Sequence, residues 1–325
     1  MTGSVARRAV AIAVAVAVAH RVVAVVAVAA VTALIGGVSG LVAGCSDEAA
    51  GDADTAAVTD AVAAPSGTLS VLTYNVHGLP SMITGDDTTA RIAQIAPRLD
   101  AFDIVGLQED FIDSNHAVLA AAVTHTTKEH FDDVLPDRAY GSGITTFARF
   151  VSLASEGRHF STCVGLLDHA SDCLASKGFL MVRLQLALGV ELDVYVTHLE
   201  AGGSDEDMAA RVIQVDEILA AMAELSAGRA LIFMGDTNLR FGDSAAEKAL
   251  LEHIEAGASL SRVCAAVDCA EPDRIDRIYF RSSDAVTLTP TAWRVVPGFV
   301  DSEGVDLSDH MPIEATIAWA AALAP

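Results

Sequence analysis

The sequence predicts an α/β domain in which two packed β-sheets are flanked by helices. Three observations carry this reading. From Leu69 onward, short β-like runs alternate with stretches of helical periodicity. Several of those runs are wholly apolar, as strands covered on both faces are. Two strands meet at Gly189 in a hairpin, so the sheets are mixed.

In chain order, Leu69 to Val76 alternates apolar and polar residues, and Thr88 to Leu99 places Ile92, Ile95 and Leu99 at helical intervals. Asp103 to Gln108 is a compact apolar strand. Phe179 to Leu188 and Glu191 to Thr197 form the hairpin. Asp207 to Leu225 reads as a helix with Val212, Val215, Ile218, Leu219 and Met222 on one face. The strands Ala230 to Met234, Ile275 to Phe280, Val286 to Thr289 and Ile313 to Ala318 complete the set. No internal repeat or second linker appears, so Leu69 to Pro325 is read as one domain.

The N-terminus reads as an address. Arg7 and Arg8 precede an apolar run whose cleaner part is Val22 to Ile35, the length of a signal-peptide core and short for a bilayer span. Leu41-Val42-Ala43-Gly44-Cys45 resembles a bacterial lipobox, in which the cysteine is acylated and becomes the new N-terminus. Residues 1–45 are therefore assigned as a lipoprotein signal peptide, with an uncleaved membrane anchor as the rival. Residues 46–68, rich in Ala, Asp, Thr and Gly, form a flexible acidic linker. The expected product is an exported protein anchored by Cys45 at the bacterial cell envelope. Ser46, in place of Asp, favours an outer membrane or the cell surface.

Of the 325 residues, all 43 acidic ones follow Cys45, and the formal net charge is −23. A stable nucleic-acid complex is disfavoured, because binders of polyanions present basic patches. A monomer is expected. Four cysteines remain in the exported part: Cys163, Cys173, Cys264 and Cys269. Three pairings are open, and the two local ones, Cys163–Cys173 and Cys264–Cys269, need the least chain rearrangement. A zinc site made by these cysteines is disfavoured, since neither pair has C-x-x-C spacing.

The polar residues that end apolar strands point to function. Val71-Leu72-Thr73-Tyr74 runs into Asn75, Ile104-Val105-Gly106-Leu107 into Gln108-Glu109, Val194-Tyr195-Val196-Thr197 into His198, and Leu231-Ile232-Phe233-Met234-Gly235 into Asp236-Thr237-Asn238. Singly, each is a turn former or helix cap. Together they bring carboxylate, amide and imidazole groups to strand ends, where side chains are held rigidly. That set suits hydrolysis at phosphorus. Oxygen ligands such as Glu109 and Asp309 suit a hard cation, Mg²⁺ above all, with Mn²⁺ or another divalent ion as substitutes. Amides and histidines donate to phosphoryl oxygens, and a histidine backed by a carboxylate activates water.

In order along the chain, Tyr74-Asn75-Val76, Leu107-Gln108-Glu109, Thr197-His198-Leu199, Gly235-Asp236-Thr237-Asn238, Ile275-Asp276-Arg277-Ile278 and Ser308-Asp309-His310 resemble the endonuclease/exonuclease/phosphatase superfamily of phosphoesterases. The resemblance implies a four-layer α/β sandwich with the site at one end of the sheets. It implies Glu109 as the main metal ligand, with Asn75 and Asp309 nearby. It implies His310 as general base oriented by Asp276, His198 and Asn238 as transition-state stabilisers, and Asp236 as a positioner of water or metal.

In detail, Asn75-Val76-His77-Gly78-Leu79-Pro80 with Arg91, Ser176-Lys177-Gly178-Phe179 and Met311-Pro312-Ile313-Glu314-Ala315 resemble neutral and bacterial sphingomyelinases. The leading expectation is cleavage of a phospholipid headgroup, with an extracellular nuclease and an inositol-polyphosphate phosphatase as alternatives. Arg240 resembles the last group. A non-catalytic surface lipoprotein that keeps the fold is disfavoured, because the expected ligand and base residues are all present. Lys177 is read as a phosphate contact or as a solvated lysine beside a glycine turn, and His77 as a pocket residue or a structural one. Trp293 and Phe299 are candidates for insertion into a membrane, with core packing the favoured reading. His20, His116, His125, His130, His159, His169 and His253 belong to no motif and are assigned surface or packing roles.

Overall fold

A computed structural model describes residues 64–166 and 170–322. The signal peptide, Cys45, most of the acidic linker and His169 lie outside the described residues. The segment from Ala63 to Pro325 is a compact unit.

β1 (Ser66–Asn75) starts three residues before Leu69, so Ser66, Gly67 and Thr68, assigned to the linker, belong to the first strand. Helix α1 (Thr88–Leu99) crosses to β2 (Ile104–Gln108), which lies parallel to β1. After α2 (Asp113–Ala122), β3 (Thr127–Phe131) and β4 (Ile144–Ala148) extend the sheet antiparallel from β2. The chain then enters a second sheet through β5 (Val151–His159), β6 (Gly178–Ala187) and β7 (Val190–His198). Helix α3 (Asp205–Leu225) crosses to β8 (Leu231–Asp236), parallel to β7. Helix α4 (Ala245–Gly257), β9 (Ser261–Arg262) and β10 (Asp276–Arg281) finish that sheet. β11 (Val286–Val295) and β12 (Ile313–Ala321) return to the first.

The strand orders are β11-β12-β1-β2-β4-β3 and β5-β6-β7-β8-β10-β9. Each sheet has one parallel pair, β1/β2 or β7/β8, bordered by antiparallel neighbours. The expected fold class is thus the observed one. The hairpin at Gly189 is present, and the glycine adopts φ 76°, a left-handed conformation that costs a side-chain-bearing residue more.

Period-2 alternation sorts the strand residues onto two faces. Val71, Ile104, Val182, Val194, Val196, Ile232, Met234 and Ile278 meet between the sheets. Leu72, Tyr74, Val105 and Leu107 face outward under α1 and α2, against Ile92, Ile95, Leu99 and Leu119. Tyr195, Leu231, Phe233 and Tyr279 face the other way under α3 and α4, against Val215, Ile218, Met222 and Leu251. Three cores separate four layers. Helix starts are capped by side chains: Asp87 accepts from Ala90 N, Ser204 forms a capping box with Asp207, and Ser244 accepts from Glu247 N.

The buried face of α3 differs from the expected one. Val215, Ile218 and Met222 are buried as expected and Leu219 packs against the same core, but Val212 is 39% exposed, and Asp207, Ala210, Arg211, Gln214 and Ala221 are buried as well. Arg211 Nη1 donates to Glu200 O and Gly202 O, and Gln214 Nε2 donates to the Glu200 side chain, so hydrogen bonds accompany the burial of these two polar residues. Phe299 packs edge-on against Tyr74 with ring centroids 5.1 Å apart. Trp293 packs against the core between the sheets. Disulfides join Cys163 to Cys173 and Cys264 to Cys269.

Candidate active site

The alternation that fills the core between the sheets also builds the site. Along β1 the inward positions Leu69 and Val71 lead to Thr73 and Asn75, along β7 Val194 and Val196 lead to His198, and along β8 Ile232 and Met234 lead to Asp236. Asp276 opens β10 on the same face as Ile278. Register completes the row, for His198 pairs with Asp236, and Asp236 with Asp276. One end of the apolar core is therefore closed by Asn75, His198, Asp236 and Asp276, all buried.

Asp236 Oδ2 is the hub. It accepts from Asn75 Nδ2 at 3.2 Å and lies 3.5 Å from His198 Nε2 and 3.6 Å from His310 Nε2. Its other oxygen accepts from Asn238 N at 3.0 Å. Burial, then the neighbouring Asp276 charge, push Asp236 up to about 7.

His310 sits in the loop before β12 and reaches from the first sheet to the second. Its Nδ1 lies 2.9 Å from Asp276 Oδ2 and 3.1 Å from Oδ1. The loop is anchored because Ser308 Oγ donates to Asn75 O at 2.7 Å and accepts from His310 N at 3.1 Å. Burial disfavours a charged His310, but the Asp276 hydrogen bond and the surrounding carboxylates outweigh it and raise the imidazole to about 10.

Glu109 follows β2 with φ 62°, which turns its side chain out of the strand's alternation and into the mouth. Oε1 accepts from Asn75 Nδ2 at 2.9 Å. Oε2 is buried and has no hydrogen-bond partner among the described residues. A desolvated carboxylate oxygen without a donor is costly, and a hard cation would complete it. His77 Nδ1 stands 4.0 Å from that oxygen and 3.2 Å from Asp309 Oδ1. The His77 hydrogen bond holds Asp309 down at about 2, so its carboxylate is ionised and available as a second oxygen ligand.

Lys177 is buried beside His198 and is not a solvated lysine. It is 6% exposed, forms an ion pair with Asp172, donates to Leu199 O at 2.9 Å and lies 3.2 Å from His198 Nε2. Burial and the Lys177 charge keep His198 well below its ordinary value, so the imidazole is neutral. Asn238 adopts φ 49°, and its amide donates to Leu199 O at 3.1 Å. Arg240 is not brought into this cluster. It lies at the surface, donating to Asp273 O at 3.1 Å, with Asp243 3.7 Å away.

Several supporting residues are given no role by the sequence reading. Arg91 donates to His77 O and Leu307 O, both at 2.8 Å, and so ties the His77 loop to the His310 loop. Behind Lys177, Asp172 and Glu200 share a buried network. Burial and then Asp172 raise Glu200 to about 7. In the sequence these are an arginine in a helix and acids in loops, so only the fold distinguishes them.

The arrangement offers a carboxylate-backed imidazole, a buried carboxylate hub, an unsatisfied metal-grade oxygen and neutral donors around one mouth. Similarity to known proteins agrees with that chemistry. The chain is 28% identical over 267 residues to the sphingomyelinases of Mycobacterium tuberculosis and Mycobacterium bovis. The match takes in 76% of this chain and spans 52% of the length of those relatives. Sphingomyelinase C from Streptomyces griseocarneus shares the fold, with TM-score 0.61, 22% identity and coverage of 77% of this chain and 99% of that one. D. rerio TDP2 complexed with a single-strand DNA product shares it too, with TM-score 0.59, 23% identity and coverage of 77% and 98%. A beta toxin mutant from Staphylococcus aureus with bound magnesium ions superposes with TM-score 0.58 at 14% identity, covering 77% and 99%. Residues 72–310 match the Endonuclease/Exonuclease/phosphatase family, and the chain belongs to that family.

Proposed function

We propose that the domain is a Mg²⁺-dependent phosphodiesterase that hydrolyses a choline-type phospholipid headgroup, with sphingomyelin as the first substrate to test. The observation that carries the reaction type is the His310–Asp276 pair. Asp276 holds Nδ1 and leaves Nε2 facing the mouth beside Asp236. Nε2 takes the proton of a water molecule as its oxygen attacks phosphorus, the bond from phosphorus to the ester oxygen breaks, and the leaving oxygen takes a proton from solvent. His198 and Asn238 serve as hydrogen-bond donors toward the phosphoryl oxygens as charge builds. Lys177 Nζ stands 3.2 Å from His198 Nε2, and its charge helps keep that imidazole neutral.

Glu109, with Asn75 and Asp309, would hold the cation, which supplies charge neutralisation at the phosphoryl oxygens. The unsatisfied Glu109 Oε2 and the ionised Asp309 fit it. A cation held there would offset part of the negative field that keeps a proton on His310 and so favour the neutral imidazole that a base needs.

The substrate reading is supported by the likeness to the mycobacterial sphingomyelinases and by charge. A chain of net charge −23 does not repel a cationic choline group, whereas it opposes a polyanion. We also propose export and acylation at Cys45, which would keep a monomeric enzyme at a membrane surface. Clickable fatty-acid labelling of the expressed chain checks that part, and absence of label rejects it. The activity is tested by incubating the purified protein with sphingomyelin vesicles, single-stranded DNA and inositol polyphosphates, with Mg²⁺ or with chelator. Magnesium-dependent release of phosphocholine is expected. Cleavage of DNA or inositol phosphates alone would overturn the lipid reading.

A further inference from the structure

Arg91 lies in the first turn of α1, and its side chain is 13% exposed. Each N–H of its guanidinium faces an acceptor. Nε donates to Asp86 Oδ2 at 2.8 Å. Nη1 donates to Leu307 O at 2.8 Å and to Val76 O at 3.3 Å. Nη2 donates to His77 O at 2.8 Å and to Asp86 Oδ1 at 3.2 Å. A guanidinium carries its N–H groups in one rigid plane, and this one spends all of them on a single arrangement.

The acceptors belong to the two chain segments that make up the mouth. Val76 O and His77 O follow Asn75 where the chain leaves β1. His77 adopts φ 47°, and its Nδ1 stands 3.2 Å from Asp309 Oδ1. Leu307 O, 216 residues from Arg91 along the chain, opens the loop that carries Ser308, Asp309 and His310. One guanidinium therefore grips the segment after Asn75 and the segment before His310 at once. The carboxylate of Asp86 holds the fork on its remaining edge and offsets its charge, so a second cation beside the Glu109 site is not opposed by a bare positive group.

We propose that Arg91 is a positioning residue for the hydrolysis, its planar fork fixing the spacing between the Glu109–Asn75 side of the site and the His310 side. This rests on the proposed reading of Glu109 as cation ligand and His310 as base. Arg91 bonds to backbone carbonyls and to Asp86, so it acts through the segments it holds and not on the substrate. A lysine keeps the charge but has three donors on one tetrahedral nitrogen, and it cannot serve the carbonyls of both segments and the Asp86 carboxylate together.

Arg91→Lys and Arg91→Met in the full chain test this. Circular dichroism and melting temperature establish that each variant is folded. Mg²⁺ binding is read by isothermal titration calorimetry without substrate, and kcat and KM are read at saturating Mg²⁺ well below the melting temperature. Arg91→Lys should weaken Mg²⁺ about tenfold. It should lower kcat about 10²-fold with KM changed less than about threefold. Arg91→Met should behave alike, because restoring the charge does not restore the fork. Wild-type kcat and Mg²⁺ affinity in Arg91→Lys would overturn the proposal, as would a lower melting temperature with kcat unchanged, which marks a residue that stabilises the fold alone. If neither variant folds, Asp86→Asn decides, since it loosens the fork with Arg91 in place. A kcat lowered about tenfold at unchanged KM supports the role, and wild-type values reject it. A wild-type chain that cleaves none of the tested phosphoesters sinks the functional reading instead, and the Mg²⁺ affinities of wild type and Arg91→Lys then decide this one.

Discussion

His310 Nδ1 lies 2.9 Å from Asp276 Oδ2, and this contact spans the two sheets of the sandwich. The imidazole comes from the loop before β12 and the carboxylate from the start of β10. Any slip of one sheet against the other would separate the imidazole from the carboxylate.

On the proposed reading of His310 as the base, removing it should abolish most of the catalysis. His310→Ala is expected to lower kcat about 10²–10⁴-fold with the fold retained. Asp276→Asn should fall in the same range, because an amide no longer selects the Nδ1–H tautomer. Initial rates of phosphocholine release, with circular dichroism as the folding control, check both. A variant within threefold of wild type would contradict the assignment.

Glu109 should set the metal requirement. Glu109→Gln keeps the shape and removes the charge, so the Mg²⁺ concentration for half-maximal rate should rise at least about 10²-fold. A magnesium titration of the rate reads this directly, and saturation at the wild-type concentration would exclude Glu109 as the main ligand.

Gly78 offers a subtler test of the same site. A Cβ there would stand 2.1 Å from Glu109 O, a backbone atom that cannot swing aside. Gly78→Ala should destabilise the protein by about 1–3 kcal/mol and weaken Mg²⁺ about tenfold, although Gly78 is no ligand. Urea denaturation and the magnesium titration measure the two effects.

Glu200 should make stability depend on pH. Its ordinary value is 4.5, and burial followed by Asp172 raises it to about 7 in the folded protein. Between these values the folded state holds a proton that the unfolded chain has released. The contribution is full below pH 4.5 and is lost as pH rises through 7. Urea midpoints measured from pH 4.5 to 8 should decline across that window, and Glu200→Gln should flatten the decline.

Much of this molecule is readable from local pattern. Val71 to Asn75 and Leu231 to Asp236 show a buried strand ending in a polar group, because alternation and apolar character are properties of neighbouring residues. Helix α1 is equally plain, its apolar spacing and Asp87 cap lying within one segment. β5 is not, since it is an edge strand with mostly exposed or half-exposed residues and no clean alternation. Lys177 next to a glycine looks like a surface residue until Asp172 and Leu199 enclose it. Arg240 looks like a phosphate contact until the loop after β8 carries it to the surface beside Asp273.

The sequence alone determined the strands and helices with strong periodicity, the strand-end acids, amides and histidines, and the chemistry that such groups can perform. The tertiary structure decided which of them meet. His198, Asp236 and Asp276 face one another because strand register aligns them, and His310 joins them because the sheets pack face to face. It also brought the carbonyls of His77 and Leu307 to Arg91, which no spacing along the chain connects. Periodicity and composition are local quantities. Register, burial and the distance between two side chains depend on the packing of the whole domain.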